Sequence, residues 1–256
     1  MRLYAFHGGG ERSDMAVFDP FHPDVGTSVD IPYFFYLITH PDGNVLFDSG
    51  GHRDLITDPH GRLGEIADAF VLTMKEGDDV VSRLAEIGVE PGDVPHVVHS
   101  HLHYDHSGGI EFFPDATFYV HRREMQAAFW PPSYQQDLYV KADFDHPVRW
   151  KVLAGRHDIF GDGRVVIFPT PGHSPGHQSM VVKLEHQTLI LVGDAAYLPR
   201  NMELGVLPAI VWSPDAMVDS WQILEQVKAD NDAELIFTHD LDWKTKTRVA
   251  PDEWYE

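Results

Sequence analysis

The sequence predicts an α+β protein, a four-layered αββα sandwich with two sheets inside and helices outside. Three observations predict it. Short strands of buried type cluster in two halves of the chain, and each half carries helices of its own. The chain has 256 residues, 43% of them hydrophobic, enough to bury a sizeable core. No repeat, low-complexity run or linker rich in Pro, Gly or Ser divides it, so residues 1–256 are expected to form a single domain.

The elements follow in order. "MRLYAFHGGG" (1–10) is a short apolar run cut by glycines, and its "HGGG" (7–10) is expected to turn. "YFFYLITH" (33–40) and "NVLFDSG" (44–50) flank "PDG", the signature of a hairpin. "DDVVSRLAEIG" (78–88) has apolar residues at helical spacing, Asp near its start and Gly at its end. "HVVHS" (96–100) and "ATFYVH" (116–121) are strands, and "RREMQAAF" (122–129) is a helix. In the second half "RVVIFP" (164–169), "HQSMVVKL" (177–184), "TLILVGD" (188–194) and "ELIFTHD" (234–240) are strands. "PDAMVDSWQILEQVKAD" (214–230) is an amphipathic helix. The long segments 57–77 and 130–150 fit this rhythm poorly and suit peripheral elaborations or substrate walls.

Composition excludes several classes of function. The formal net charge is −21, from 40 acidic and 19 basic residues, so the surface would repel nucleic acid and anionic membranes. The acids are spread along the chain, which suits solubility rather than an acidic tail. There are no cysteines, and therefore no disulfides and no thiolate metal ligands. The first apolar run is too short for a signal-peptide core, and no stretch approaches the ~18 apolar residues of a membrane span. The expectation is a soluble cytoplasmic protein. Its oligomeric state is open, a homodimer included.

Chemistry concentrates in "HSHLHYDHSGG" (99–109), which follows a predicted strand. Imidazole and carboxylate bind zinc and similar ions where thiolate is absent. His101 and His103 are two apart, so an extended backbone aims them the same way. Asp105 and His106 lie beyond a bend and can face a second point. One loop can feed two adjacent metals but cannot complete either, since zinc takes about four donors. His173, Asp194 and His239, each at or near the end of a predicted strand, are candidates for the rest. Asp194 has two oxygens and can bridge. With 17 histidines in the chain, lone ones such as His121 and His157 are better read as hydrogen-bonded surface or core residues.

In this order the segments "HLHYDH" (101–106), "PGHSPGH" (171–177), "GDAAY" (193–197) and "FTHD" (237–240) resemble the metallo-β-lactamase-fold hydrolases, from about residue 30 to the C-terminus. "LFDSG" (46–50) fits as well, its Asp48 standing where that superfamily carries an aspartate behind the ligands. The resemblance implies the αββα sandwich with a dinuclear site on its edge. His101, His103 and His173 would hold one metal, and Asp105, His106 and His239 the other. Asp194 and a hydroxide would bridge them. Zinc is the first expectation, with iron, cobalt and manganese able to use the same ligands. A cysteine-free chain departs from the β-lactamases with a Cys ligand, and His103 departs from the flavodiiron branch, which carries Glu there.

Tyr197, three residues after Asp194, narrows the resemblance to the N-acyl-homoserine lactonases and their γ-butyrolactone- and pyridoxolactone-cleaving relatives. These place a tyrosine beside the metals. The implied reaction is opening of a lactone ring, with Tyr197 donating to the carbonyl and Asp105 passing a proton to the leaving alkoxide. The partner is a small lactone. Other small lactones and a glyoxalase-II-like thioester are the alternative substrates, a persulfide dioxygenase is another class, and a vestigial binding module is the non-enzyme alternative. "GHSPG" (172–176) matches the serine-hydrolase elbow, but Pro175 has no N–H for an oxyanion and a strand follows where the elbow needs a helix. Ser174 is therefore rejected as a nucleophile. "LPRNMELGVLPAIVW" (198–212) has apolar residues able to line an acyl channel.

Overall fold

Unbroken burial along the central strands sets the layers, since both faces of each sheet are covered. A computed structural model describes all of residues 1–256. Its first seven strands are β1 (Arg2–Asp14), β2 (Ser28–Thr39), β3 (Val45–Phe47), β4 (Val71–Leu72), β5 (His96–Val98), β6 (Thr117–His121) and β7 (Arg149–Leu153). They form one sheet in the order β4-β1-β2-β3-β5-β6-β7. The second sheet holds β8 (His157–Asp158), β9 (Val165–Pro169), β10 (Gln178–Lys183), β11 (Thr188–Gly193) and β12 (Ala233–Phe237), in the order β12-β11-β10-β9-β8. Helices are α1 (Pro59–Leu63), α2 (Val80–Ala85), α3 (Tyr104–Ser107), α4 (Arg122–Phe129), α5 (Lys141–Phe144), α6 (Pro199–Leu204), α7 (Pro214–Asn231) and α8 (Trp243–Lys246).

Phe34, Tyr36 and Ile38 of β2 point between the sheets and pack with Met180, Val182, Leu189 and Leu191. Their neighbours Phe35 and Leu37 point outward onto Val80 and Leu84 of α2 and Ala127 and Ala128 of α4. The second sheet repeats the rule: Val181, Ile190 and Val192 face Met217, Trp221 and Leu224 of α7. Burying each large apolar side chain contributes roughly 1.5–3 kcal/mol. The result is the αββα sandwich. No helix is long and apolar enough to cross a membrane.

β1 corrects one expectation. "HGGG" is not a turn but the middle of a 13-residue strand paired antiparallel with β2. The register slips between His7 and Gly10, the mark of a β-bulge. A Cβ on Gly10 would lie 2.1 Å from the Ile31 carbonyl oxygen, so only glycine lets the strands approach there. β7 and α6 were also unread. β7 adds to β6 in parallel at the sheet edge, with two of its five residues exposed besides Arg149 and so little apolar signal.

The two segments of poor rhythm fasten to one another. Arg62 Nε in α1 donates to Asp143 Oδ1 in α5 at 3.0 Å, and its Nη2 also contacts that oxygen. The Asp143 side chain is 1% exposed and that of Arg62 13%. Asp143→Ala leaves the guanidinium with only the more exposed Asp54, 3.1 Å from its Nη1, and is expected to cost about 2 kcal/mol. The shift in urea midpoint at constant m measures it. Lys141→Ala, which removes the exposed ion pair with Asp145, is the control, at about 0.5 kcal/mol or less.

Candidate metal centre

Parallel strands end on the same edge, and this brings the site together. β11 and β12 run parallel with Gly193 opposite Phe237, so Asp194 and His239 emerge side by side. β3 and β5 also run parallel, Phe47 opposite Val98, which sets Asp48 behind the 99–103 loop. His101 and His103 lie in that loop, Asp105 and His106 in α3, and His173 in the loop joining β9 to β10. The structure thus brings all seven candidate ligands to one place.

They fall into two groups: His101, His103 and His173; and Asp105, His106, Asp194 and His239. In the first, His101 Nε2, His103 Nδ1 and His173 Nε2 form a triangle with sides of 3.1, 3.1 and 2.9 Å. Ligands 2.0–2.1 Å from a tetrahedral zinc would stand roughly 3.3 Å apart, so the triangle is close to one face of such a site. In the second, Asp194 Oδ1 lies 3.3 Å from His106 Nε2 and 3.2 Å from His239 Nε2. Asp105 Oδ2 is 3.3 Å from His106 Nε2 and 3.7 Å from His239 Nε2. Asp194 Oδ2 turns the other way, 3.5 Å from His173 Nε2 and 3.9 Å from His101 Nε2. One carboxylate therefore offers an oxygen to each group.

Hydrogen bonds behind the ligands fix their outward nitrogens. His106 Nδ1 is 2.9 Å from Asp48 Oδ2, and His239 Nδ1 is 2.8 Å from the Pro32 carbonyl oxygen. His173 Nδ1 is 3.2 Å from the Ile210 carbonyl oxygen, and His101 Nδ1 is 2.9 Å from Ser100 Oγ. Asp48 is fully buried at φ 60° and also accepts from the Ser100 N–H and hydroxyl. It fills the place behind the ligands that the resemblance implied.

Charge is split between the groups. Burial, reinforced by neighbouring imidazoles, holds His101 and His103 well below the ordinary histidine pKa. Burial also opposes protonation of His106, but Asp105, Asp194 and Asp48 outweigh it and hold that ring well above. Burial likewise opposes ionisation of Asp194, but His239 and His106 overcome it and hold the carboxylate well below its usual range. The donor set fits divalent cations. Three neutral imidazole nitrogens facing one point cannot satisfy one another, and buried His106 Nε2 and Asp194 Oδ1 have no hydrogen-bond partner.

Tyr197 is buried at the rim, its hydroxyl 3.2 Å from His173 Nδ1. It lines one cavity with His103, Asp105, His173, Asp194 and His239. Ser174 donates to Glu124 Oε2 at 2.6 Å, and β10 follows it, so it is no elbow nucleophile. His121 accepts from the Arg123 N–H, as expected of a lone histidine, whereas His157 Nε2 is buried without a partner.

Three residues of the site escaped the sequence. His177 accepts the Asp194 N–H on its Nε2 at 2.9 Å and so positions the carboxylate. Its second place in "PGHSPGH" was the available signal. Glu124 in α4 is fully buried and takes four hydrogen bonds from residues around both ligand loops. Glu11 of β1 lines the cavity. Neither glutamate stands in a motif.

A model of the metallo-beta-lactamase superfamily matches residues 30–239. The N-acyl homoserine lactonase AttM of Rhizobium radiobacter is 38% identical over 233 residues, 89% of each chain. The N-acyl homoserine lactonase AiiA of Bacillus thuringiensis subsp. kurstaki is 29% identical over 229 residues, 89% of this chain and 88% of its own. A solved N-acyl homoserine lactone hydrolase, with the product N-hexanoyl-L-homoserine at its catalytic metal centre, superposes with a TM-score of 0.89 at 28% identity. It covers 99% of this chain, which covers 98% of it.

Proposed function

Because the chain belongs to the metallo-β-lactamase superfamily, we propose that it is a metal-dependent hydrolase that opens the lactone ring of N-acyl-homoserine lactones, a quorum-quenching type of reaction. Residues 1–256 act as one hydrolase domain on a small molecule in the cytoplasm. The observation that carries the reading is Asp194, one oxygen toward each donor group, with Tyr197 lining the same cavity. The named lactonases, similar over nearly the whole chain, support the substrate class.

The site is proposed to hold two divalent ions, zinc first, one on His101, His103 and His173 and one on Asp105, His106 and His239, with Asp194 shared. When bound, such ions lower the pKa of water toward neutrality and polarise an ester carbonyl. The protein supplies the rest. Burial and the Asp194 charge raise Tyr197 well above the ordinary phenol range, so it stays protonated and donates to the carbonyl oxygen. Asp105 has the most exposed side chain of the carboxylates here, 14% against 3% for Asp194, and carries the proton to the ring oxygen as the C–O bond breaks. Water adds across one bond, so a single hydroxy acid results.

The test is a panel of N-acyl-homoserine lactone, γ-butyrolactone, 4-pyridoxolactone and a glutathione thioester, with and without chelator, read by product mass. Ring opening of the acyl-homoserine lactone, lost on chelation and restored by zinc, is expected. Activity untouched by complete metal removal sinks the reading. Tyr197→Phe is expected to keep its metal and lose roughly 10²-fold in kcat.

A further inference from the structure

The cavity above the ligands is walled mostly by apolar side chains, among them Phe18, Ile31, Phe70, Leu138 and Ile210. Outside the two donor groups it holds one carboxylate, Glu11, on β1 just past the glycine bulge. The residue is 5% exposed. Tyr104 donates its hydroxyl to Glu11 Oε2 at 2.6 Å, and Tyr33 donates to the same oxygen. Both tyrosines are buried. Oε1 takes no hydrogen bond from the protein and is not sealed from solvent, and the open space that Glu11 lines is the cavity. Oε1 therefore meets the cavity.

A buried carboxylate carries a desolvation penalty. Two tyrosine hydroxyls need only one acceptor oxygen, which a glutamine would supply. What a glutamine would not supply is a second acceptor at an apolar wall. Such an acceptor selects a ligand bearing an N–H or O–H donor, because an analogue without one leaves it unpaired. In an N-acyl-homoserine lactone the donor is the amide N–H beside the ring, and an unsubstituted γ-lactone has none.

We propose that Glu11 is a specificity-determining residue, whose free oxygen accepts the amide N–H of the substrate and so selects amide-bearing lactones. This rests on the lactonase reading above. The probe is a matched pair on the zinc-loaded protein: N-hexanoyl-homoserine lactone and the ester analogue with oxygen in place of N–H. Glu11→Gln is the informative variant. The tyrosine hydroxyls claim its carbonyl oxygen, so its amide presents a donor where the substrate also presents one. Glu11→Leu removes the group and, unlike Gln, also strands both tyrosines.

In Glu11→Gln, kcat/KM for the amide is expected to fall roughly 10- to 100-fold more than for the ester, mostly through KM. Equal losses on both substrates, or an amide preference that persists in Glu11→Gln, would overturn the inference and leave the lactonase reading standing. A wild-type protein that opens neither ring removes both. If Glu11→Leu fails to fold, the Gln variant still decides.

Discussion

Asp194→Ala is expected to lower kcat/KM for lactone hydrolysis at least ~10³-fold and to strip bound metal. The size follows from the position. One side chain faces both donor groups, Oδ1 at 3.2 Å from His239 Nε2 and 3.3 Å from His106 Nε2, and Oδ2 at 3.5 Å from His173 Nε2. Alanine removes the shared ligand and the negative charge that balances two buried imidazoles. Asp194→Asn keeps the shape and one acceptor, so it should retain more metal than Ala while losing most activity. Metal content by elemental analysis, beside kcat/KM, separates these effects. An alanine variant holding the wild-type complement of ions, with kcat/KM within threefold, would mean that Asp194 bridges nothing.

The ligands were legible because metal chemistry admits few residue types. His101, His103, Asp105 and His106 crowd into one strand-to-helix turn, and His173, Asp194 and His239 each follow a recognisable apolar strand. The layers were legible because each half joins short buried-type strands to helices of its own, and the unbroken apolar run Phe34 to Ile38 serves two buried faces. β1 was not, because Gly8, Gly9 and Gly10 interrupt the apolar pattern where the strand bulges against Ile31. Arg62 and Asp143 lie 81 positions apart in segments without periodicity, and only the folded chain pairs them. Glu124 looks in sequence like any polar residue of a short amphipathic helix. Its burial depends on loops at 102 and 174–176 that close over it.

Those loops make Glu124→Ala the substitution with the largest expected effect on stability. Glu124 Oε1 accepts the Leu102 N–H and the Tyr139 hydroxyl, each at 3.0 Å. Oε2 accepts the Ser174 hydroxyl at 2.6 Å and the Gly176 N–H at 3.0 Å. Leu102 lies between His101 and His103, and Ser174 follows His173, so one carboxylate ties together the three imidazoles of the first group. A Cβ on Gly176 would fall 2.0 Å from the Glu124 nitrogen, so loop and helix meet backbone to backbone. Each stranded donor costs about 1–3 kcal/mol, so a loss of at least ~4 kcal/mol is expected, much of a typical domain's stability. Glu124→Gln keeps one acceptor oxygen and turns an amide toward the other two donors, so about half that loss should remain. Urea unfolding of the metal-free protein gives the stability term. Zinc affinity of the folded fraction gives the second, with Leu189→Ala, a core truncation at the opposite end of β11 from Asp194, as the control. A role confined to packing would weaken zinc binding equally in both variants. A brace on the ligand loops should weaken it roughly 10- to 100-fold more in the Glu124 variants, because the three nitrogens then lose their common anchor.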